Sequence, residues 1–407
     1  METHLADFIH GTSSGDCAET IIRKCVHCGF CNATCPTYQL LGDELDGPRG
    51  RIYQIKQMLE GREVTVRTQL HLDRCLSCRA CETTCPSGVE YGKLLDIGRA
   101  TVAARIERSA LQRALRRMLR AVMTHRTRFA LLLGLGRTVR GLLPAPLKEL
   151  VPPCVAAGEW PPQRHARRML VLEGCVQPAL APRINAAAAR VLDYLGISLV
   201  PVAQAGCCGA LSHHLDATTE ALDFVRRAID AWWPYVEQGA EAIVMTASGC
   251  GVMVKDYGYL LRDDPLYALK AARISALTRD IAQVVAGERT ALATAGRSTG
   301  VRVAFQSPCT LQHGQRLVGV VESILGDAGF ELTRVADAHL CCGSAGTYSL
   351  LQPALSGQLR ERKLDALQAD SPALIASANI GCLMHLQSRS RLPVRHWIEL
   401  LDEALVG

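Results

Sequence analysis

Apolar and polar positions change rhythm along this chain. Apolar residues recur at helical spacing around 51–60 and again through 99–143, where Arg interleaves with Leu, Ala, Val and Met, as in Leu115-Arg116-Arg117-Met118-Leu119-Arg120. Prolines then cluster at Pro144, Pro146, Pro152, Pro153, Pro161 and Pro162, marking a linker. Beyond it, short apolar runs at 169–172, 242–246, 301–305 and 374–377 alternate with amphipathic stretches, including 184–195 and 311–325. That alternation predicts α/β units with strands bounded by helices. The whole reads as an α+β multidomain chain: a helical first part, then α/β. The most apolar short run of the helical part, 129–135, is far below the roughly 20 residues that a membrane-crossing helix needs.

The α/β part contains an internal repeat. Cys175 and Cys309 each follow the first strand-like run of a half, and each is followed after 32 residues by a Cys-Cys-Gly, Cys207-Cys208-Gly209 and Cys341-Cys342-Gly343. Each half then reaches a Gly-Cys, Gly249-Cys250 and Gly381-Cys382. The expected division is 1–98 for a cysteine-bearing helical module, 99–165 for a basic segment and linker, 166–290 for the first α/β unit and 300–407 for the second, each unit within ordinary domain size.

Composition adds one constraint. The chain has 407 residues, 48% hydrophobic and 21% charged, which permits large buried cores, but it holds 18 cysteines. A disulfide scaffold fits poorly, because such domains are usually small and secreted, and the polar segment 1–16 lacks the basic-then-apolar order of a secretory signal. Reduced thiols serving as metal ligands account better for the count. The net charge of +6 is unevenly spread: 99–148 carries twelve Lys/Arg against one acid, Glu107. Without aromatic interleaving this does not resemble a single-stranded nucleic-acid surface. Two readings remain for it: a helix lying on anionic lipid or an acidic partner, or a helix pair with a solvated face.

Cys25, Cys28, Cys31, Cys35 and Pro36 form a Cys-x2-Cys-x2-Cys-x3-Cys-Pro run, and Cys75, Cys78, Cys81, Cys85 and Pro86 repeat it. This spacing suits two [4Fe–4S] clusters, in which three closely spaced thiolates take three iron corners and the fourth cysteine reaches the other cluster. The expected sets are Cys25, Cys28, Cys31 and Cys85, and Cys75, Cys78, Cys81 and Cys35. Zinc also accepts four thiolates, but its sites usually pair two Cys-x2-Cys motifs and do not need the duplicated run. Pro36 and Pro86 are expected to fix turns directed away from the clusters. The 40 residues from Cys35 to Cys75 leave room for two helices, favouring an α-helical ferredoxin over a compact one. His27 is either a potential-tuning neighbour or a loop residue; Arg49 and Arg51 either place charge beside a cluster or occupy a solvated turn.

The second constellation comprises Cys175, Cys207, Cys208 and Cys250, matched by Cys309, Cys341, Cys342 and Cys382. Adjacent cysteines converge on one site only in a loop, which Gly209 and Gly343 permit. These units resemble the cysteine-rich CCG domains of heterodisulfide reductase-like proteins. That family's pattern ends in Cys-x2-Cys, whereas here Met253 and His385 stand at the final position. The missing thiolate leaves three contents open: a four-cysteine iron–sulfur cluster, zinc, or none. His385 reads as a helix-facing or surface residue rather than a ligand. Cys17 and Cys154 fall outside both patterns.

No Gly-rich dinucleotide loop, P-loop or Ser/His/Asp signature accompanies these cysteines, so no flavin or nicotinamide site is visible. The order of parts resembles a family of iron–sulfur subunits that serve glycolate oxidase, anaerobic glycerol-3-phosphate dehydrogenase and lactate-oxidising complexes. The strings Cys25-Val26-His27-Cys28-Gly29-Phe30-Cys31, 36–51, Pro308-Cys309-Thr310-Leu311-Gln312-His313, 340–348 and Val394-Arg395-His396-Trp397-Ile398-Glu399 resemble its glycolate-oxidising branch. The resemblance implies two flavoprotein partners, one oxidising glycolate on FAD, and a chain that relays the electrons towards the membrane quinone pool. It also implies a cytoplasmic protein, peripheral on the inner face of the membrane. A lactate or glycerol-3-phosphate dehydrogenase subunit, a CCG reductase acting directly on quinone or disulfide, and a scaffold with structural clusters are the rival expectations.

Overall fold

A computed structural model describes residues 1–407 except 143, 145–147, 149–150, 293–298 and 407, so part of the expected linker, including Pro146, lies outside the described residues. The first module is helical, as expected. Its main helices are Ser13–Lys24, Pro36–Leu41, Pro48–Leu59, Val66–Asp73 and Tyr91–Arg105. Ile21, Ile22, Ile55, Leu59, Leu94 and Leu95 are fully buried between them, each contributing about 1.5–3 kcal/mol of apolar burial. Gly98 allows the last helix to close on Pro48–Leu59: a Cβ there would stand 2.7 Å from Ile55.

The basic segment forms a pair of helices, Ala110–Met123 and Arg126–Thr138, the first capped by the Ser109 hydroxyl accepting from the Gln112 amide. Its polar face is only partly solvated: Arg113, Arg117 and Arg128 are exposed, but others are not. Arg108 and Arg116 both reach Asp73 and Asp216, and Arg120 reaches Glu220 at 2.9 Å. The arginines therefore bind the pair to the ferredoxin-like module and to the first α/β unit together.

The α/β part contains two four-stranded parallel sheets. Strands β1 (Arg167–Val171), β2 (Ile197–Pro201), β3 (Ile243–Met245) and β4 (Thr278–Asp280) lie in the order β2-β1-β3-β4. Strands β5 (Arg302–Gln306), β6 (Glu331–Leu332), β7 (Leu374–Ser377) and β8 (Val394–His396) repeat it as β6-β5-β7-β8. The central registers pair Leu170 with Ile243 and Ala304 with Ile375. The inner strands β1, β3, β5 and β7 are covered on both faces, which is why they read as largely apolar runs. The expected single helix over 311–325 is interrupted: a wide turn at Thr310–Gly314 precedes a helix at Val320–Asp327, entered through Gly319 in a left-handed conformation.

The two units share a core. Helix Arg183–Tyr194 packs its buried Ala186–Ala189 face towards helix Trp397–Val406, and Arg190 clasps Asp402 at 2.5 Å. Val171, Ile184 and Val244 of one unit and Val303, Ile375 and Trp397 of the other belong to one contiguous apolar cluster.

Candidate metal centres

The two ferredoxin-like runs adopt the same loop. His27 and Ser77, and then Gly29 and Arg79, have positive φ at equivalent positions, so the backbone turns sharply twice between the three cysteines of each run. Three of these four are not glycine, a costly choice that persists where surrounding structure demands it. Short helices Phe30–Ala33 and Ala80–Thr84 then carry the chain to Cys35 and Cys85.

Two cavities result. The first is lined by Cys25, Cys28, Cys31 and Cys85, with Cys81 also on its wall. The second is lined by Cys35, Cys75, Cys78 and Cys81. Each therefore draws its fourth cysteine from the other run. Pro86 lines the first cavity and Pro36 the second. The prolines thus form part of the walls, contrary to the expectation that they turn away. A proline presents apolar carbons and no amide that would need a partner.

Burial pushes the Cys31 thiol up to about 11 and raises Cys78 and Cys81 well above the ordinary thiol range. Such thiols become ligands only where a cation compensates the thiolates, so the donor set suits a cationic iron–sulfur group. Polar neighbours are few and specific. Tyr91 Oη is 3.7 Å from Cys75 Sγ, and Thr37 Oγ1 is 3.3 Å from Cys35 Sγ. Arg51, 1% exposed, lines the second cavity and donates to Thr37 Oγ1, the His71 carbonyl and Asp46. Arg49 lines the first cavity, paired with Glu44. Neither arginine occupies a free turn. His27 lines the first cavity too, its imidazole held below its ordinary pKa by burial and by Arg49.

In the α/β units, Cys175 and Cys309 follow the carboxyl ends of β1 and β5, and Cys250 and Cys382 follow β3 and β7, the edge where parallel sheets bind ligands. Gly209 (φ 87°) and Gly343 (φ 89°) turn each Cys-Cys loop. In both units the glycine amide donates to the first cysteine of the pair, Gly209 N to Cys207 and Gly343 N to Cys341, each at 3.4 Å. The Cys207 thiol is raised by its contacts with Cys175 and Cys208 and then by burial. In the second unit Cys309 Sγ lies 3.8 Å from Cys341 Sγ. The units differ in access. All four cysteines of the second are buried, whereas Cys175 and Cys250 of the first are half-buried.

Met253 is buried beneath Gly209, and His385 shares a hydrogen bond with Ser356 Oγ, which in turn donates to the Gly343 carbonyl. Burial and Arg360 hold His385 down at about 4, so it is neutral. Cys17 meets Tyr259 Oη at 3.5 Å and Cys154 is exposed; none of the cysteines forms a disulfide.

Three features escaped the sequence reading. Cys78 and Leu76 of the ferredoxin-like module share an apolar cluster with Cys309 and Cys341, so the second cavity abuts the second four-cysteine site. Asn379 joins the two sites, accepting from the Gly249 amide and donating to Cys382 Sγ. Ser248 Oγ meets Thr310 Oγ1 at 2.7 Å across the same seam. Thr310 stands next to Cys309, and Ser248 and Asn379 lie two and three residues before Cys250 and Cys382, which was the one local hint.

A family described as "4Fe-4S dicluster domain" matches residues 21–89, and one described as "Cysteine-rich domain" matches 169–255 and 303–387. The Glycolate oxidase iron-sulfur subunit of Escherichia coli (strain K12) is 54% identical over 407 residues, covering 100% of this chain and 99% of the relative. The Probable glycolate oxidase iron-sulfur subunit of Bacillus subtilis (strain 168) is 29% identical over 90% of this chain and 88% of its own length. Lactate utilization protein A of Exiguobacterium sp. (strain ATCC BAA-1283 / AT1b) is 25% identical over 57% of this chain and 95% of its own length. With its full-length match, its dicluster domain and its paired cysteine-rich domains, the chain belongs to the glycolate oxidase iron–sulfur subunit family.

Proposed function

We propose that this chain is the electron relay of a glycolate oxidase complex, taking electrons from flavoprotein partners that bear FAD and passing them towards the quinone pool from a peripheral position on the cytoplasmic face of the membrane. Cys25, Cys28, Cys31 and Cys85 hold one [4Fe–4S] cluster, and Cys75, Cys78, Cys81 and Cys35 hold the other. Each cluster supplies a one-electron acceptor, which suits stepwise relay from a two-electron flavin. The observation that carries the reading is continuity: the cavity of Cys75, Cys78, Cys81 and Cys35 abuts Cys309 and Cys341, and Asn379 links Cys382 to the residue before Cys250. A structural scaffold has no need of that alignment.

Cys175, Cys207, Cys208 and Cys250, and Cys309, Cys341, Cys342 and Cys382, are the ligand sets of two further sites. Four thiolates per site suit an iron–sulfur group or zinc alike, and Cys309 Sγ stands 3.8 Å from Cys341 Sγ. Four thiolates about 2.3 Å from one zinc ion lie roughly 3.8 Å apart. Among the described residues, the only group of three or more metal-binding side chains found within 4.8 Å of one another is Asp43, Asp46 and His71. Asp46 there is committed to Arg51 and Arg74.

The test is EPR of the anaerobically purified complex before and after adding glycolate. The expected result is reduced cluster signals and at least about eight irons per chain. Iron that stays oxidised with glycolate would end the relay reading, and reduction by D-lactate alone would move the chain to the lactate-oxidising branch.

A further inference from the structure

The helix pair Ala110–Met123 and Arg126–Thr138 is amphipathic in the reverse sense to a surface helix of a water-soluble protein. Arg108, Arg116 and Arg120 point inward, held by Asp73, Asp216 and Glu220. Large apolar side chains point outward: Leu111 is 80% exposed, Leu131 74% and Leu135 63%, with Met118 and Leu132 beside them. An apolar face of this kind marks a binding surface. Arg113, Arg117 and Arg128 are exposed on the same pair of helices, and the single acid of 99–148, Glu107, precedes both helices and pairs with Arg113 at 3.3 Å.

Leucines flanked by arginines, with no carboxylate on either helix, match the boundary between the acyl chains and phosphates of an anionic leaflet. An acidic protein partner would complement the arginines but not the leucines. No helix among the described residues is long and apolar enough to cross a membrane, so contact with a bilayer would have to be made by a surface such as this one.

The position of the pair adds a second argument. Arg126 reaches Glu173, two residues before Cys175, at 2.9 Å, and Arg137 donates to the Ala179 carbonyl just beyond that cysteine. Arg116 and Arg120 fasten the other helix beside the segment that follows Cys207 and Cys208. The pair therefore sits beside the first unit's four-cysteine site, the one whose Cys175 and Cys250 are half-buried.

We propose that this helix pair docks the protein on an anionic lipid surface, with Leu111, Met118, Leu131, Leu132 and Leu135 entering the acyl boundary and Arg113, Arg117 and Arg128 meeting phosphates. Docking sets the first unit, rather than the second, at the bilayer side of the relay. This deepens the relay reading and rests on it only for the direction of electron flow.

The test is flotation of the purified complex with vesicles containing phosphatidylglycerol and with vesicles of phosphatidylcholine alone. The expected result is binding to the anionic vesicles, weakened at least about tenfold by Leu131→Ser with Leu135→Ser, and loss of the anionic preference in Arg117→Glu with Arg128→Glu. Dye reduction by glycolate in solution should be unchanged in both variants. Failure of the complex to bind anionic vesicles, binding unaffected by the leucine substitutions, or release of a partner subunit by them would overturn the proposal, the last by showing that a protein covers the face. The relay reading is judged separately: dye reduction and cluster signals do not depend on vesicles, so docking can fail while the relay stands, and the reverse.

Discussion

Arg51 offers a direct measure of how the protein sets the order of its two clusters. Its guanidinium is 3.2 Å from Thr37 Oγ1, which is 3.3 Å from Cys35 Sγ, so a buried positive charge lies within about 6.5 Å of a sulfur of the second cavity. Reduction adds a negative charge to a cluster, and a nearby cation favours it. At that separation and an effective dielectric of about 20, the interaction is worth about 2.5 kcal/mol. For a one-electron couple this corresponds to on the order of 100 mV. Asp46 does not cancel it, because that carboxylate is also bonded to Arg74 at 2.7 Å and faces His71. Arg51→Gln should therefore lower the potential of the cluster held by Cys75, Cys78, Cys81 and Cys35 by roughly 100 mV and move the other little, while Arg51→Lys should restore most of the difference. An EPR-monitored redox titration reads both couples. A shift below about 30 mV, or an equal shift in both clusters, would refute the reasoning.

Further substitutions probe the rest of the framework. Cys85→Ser should remove the cluster signal that Arg51→Gln leaves in place, and Cys35→Ser the one that it moves; the opposite assignment would show that the runs do not cross. Gly343→Ala puts a Cβ 2.6 Å from the Ser356 carbonyl at φ +89°, whereas Gly346 at φ +62° has open space. The first should cost at least about 2 kcal/mol and the second nearer 1 kcal/mol, and equal melting temperatures would count against that packing. Asp280 is buried and bonded to Gln315 across the two α/β units, and burial lifts its pKa to about 6 from an ordinary 3.8. A carboxyl raised in the folded state loses stability as pH rises through that interval, by up to about 3 kcal/mol. Asp280→Asn removes the loss, so its gain in melting temperature should be larger at pH above about 7 than below about 4; a pH-independent difference would contradict the assignment.

The parts of the site that are local in sequence were readable. Cysteines at intervals of three close a short loop, and the duplicated run led to the expectation of a crossed arrangement, which the lining of the two cavities matches. The inner strands β1, β3, β5 and β7 were visible because they are buried between neighbours, which leaves no polar alternation to blur them, whereas the edge strands β2, β4, β6 and β8 went unread. Contacts between distant segments were not readable. Nothing near Cys78 announces Cys341, and the inward turn of Arg108, Arg116 and Arg120 depends on Asp73, Asp216 and Glu220. The continuous helix expected over 311–325 is broken where Arg316 and Gly319 take positive φ, 58° and 73°, just past Gly314, whose Cβ would stand 2.5 Å from Val252. Periodicity registers apolar spacing and is blind to such a neighbour.

The core common to both α/β units makes the distance between their cysteine sites a property of packing rather than of a hinge. Close-packed interiors have low compressibility, and here Val171 and Trp397 belong to one cluster while Arg190 and Asp402 clamp its edge. Electron tunnelling falls off steeply with separation, so under the relay proposed above centres that cannot drift apart would pass electrons without waiting for a conformational search. The same stiffness has a genetic cost: Ala188 and Ile375, one in each unit, belong to that single cluster, so a volume change at either is expected to alter the spacing of both sites at once.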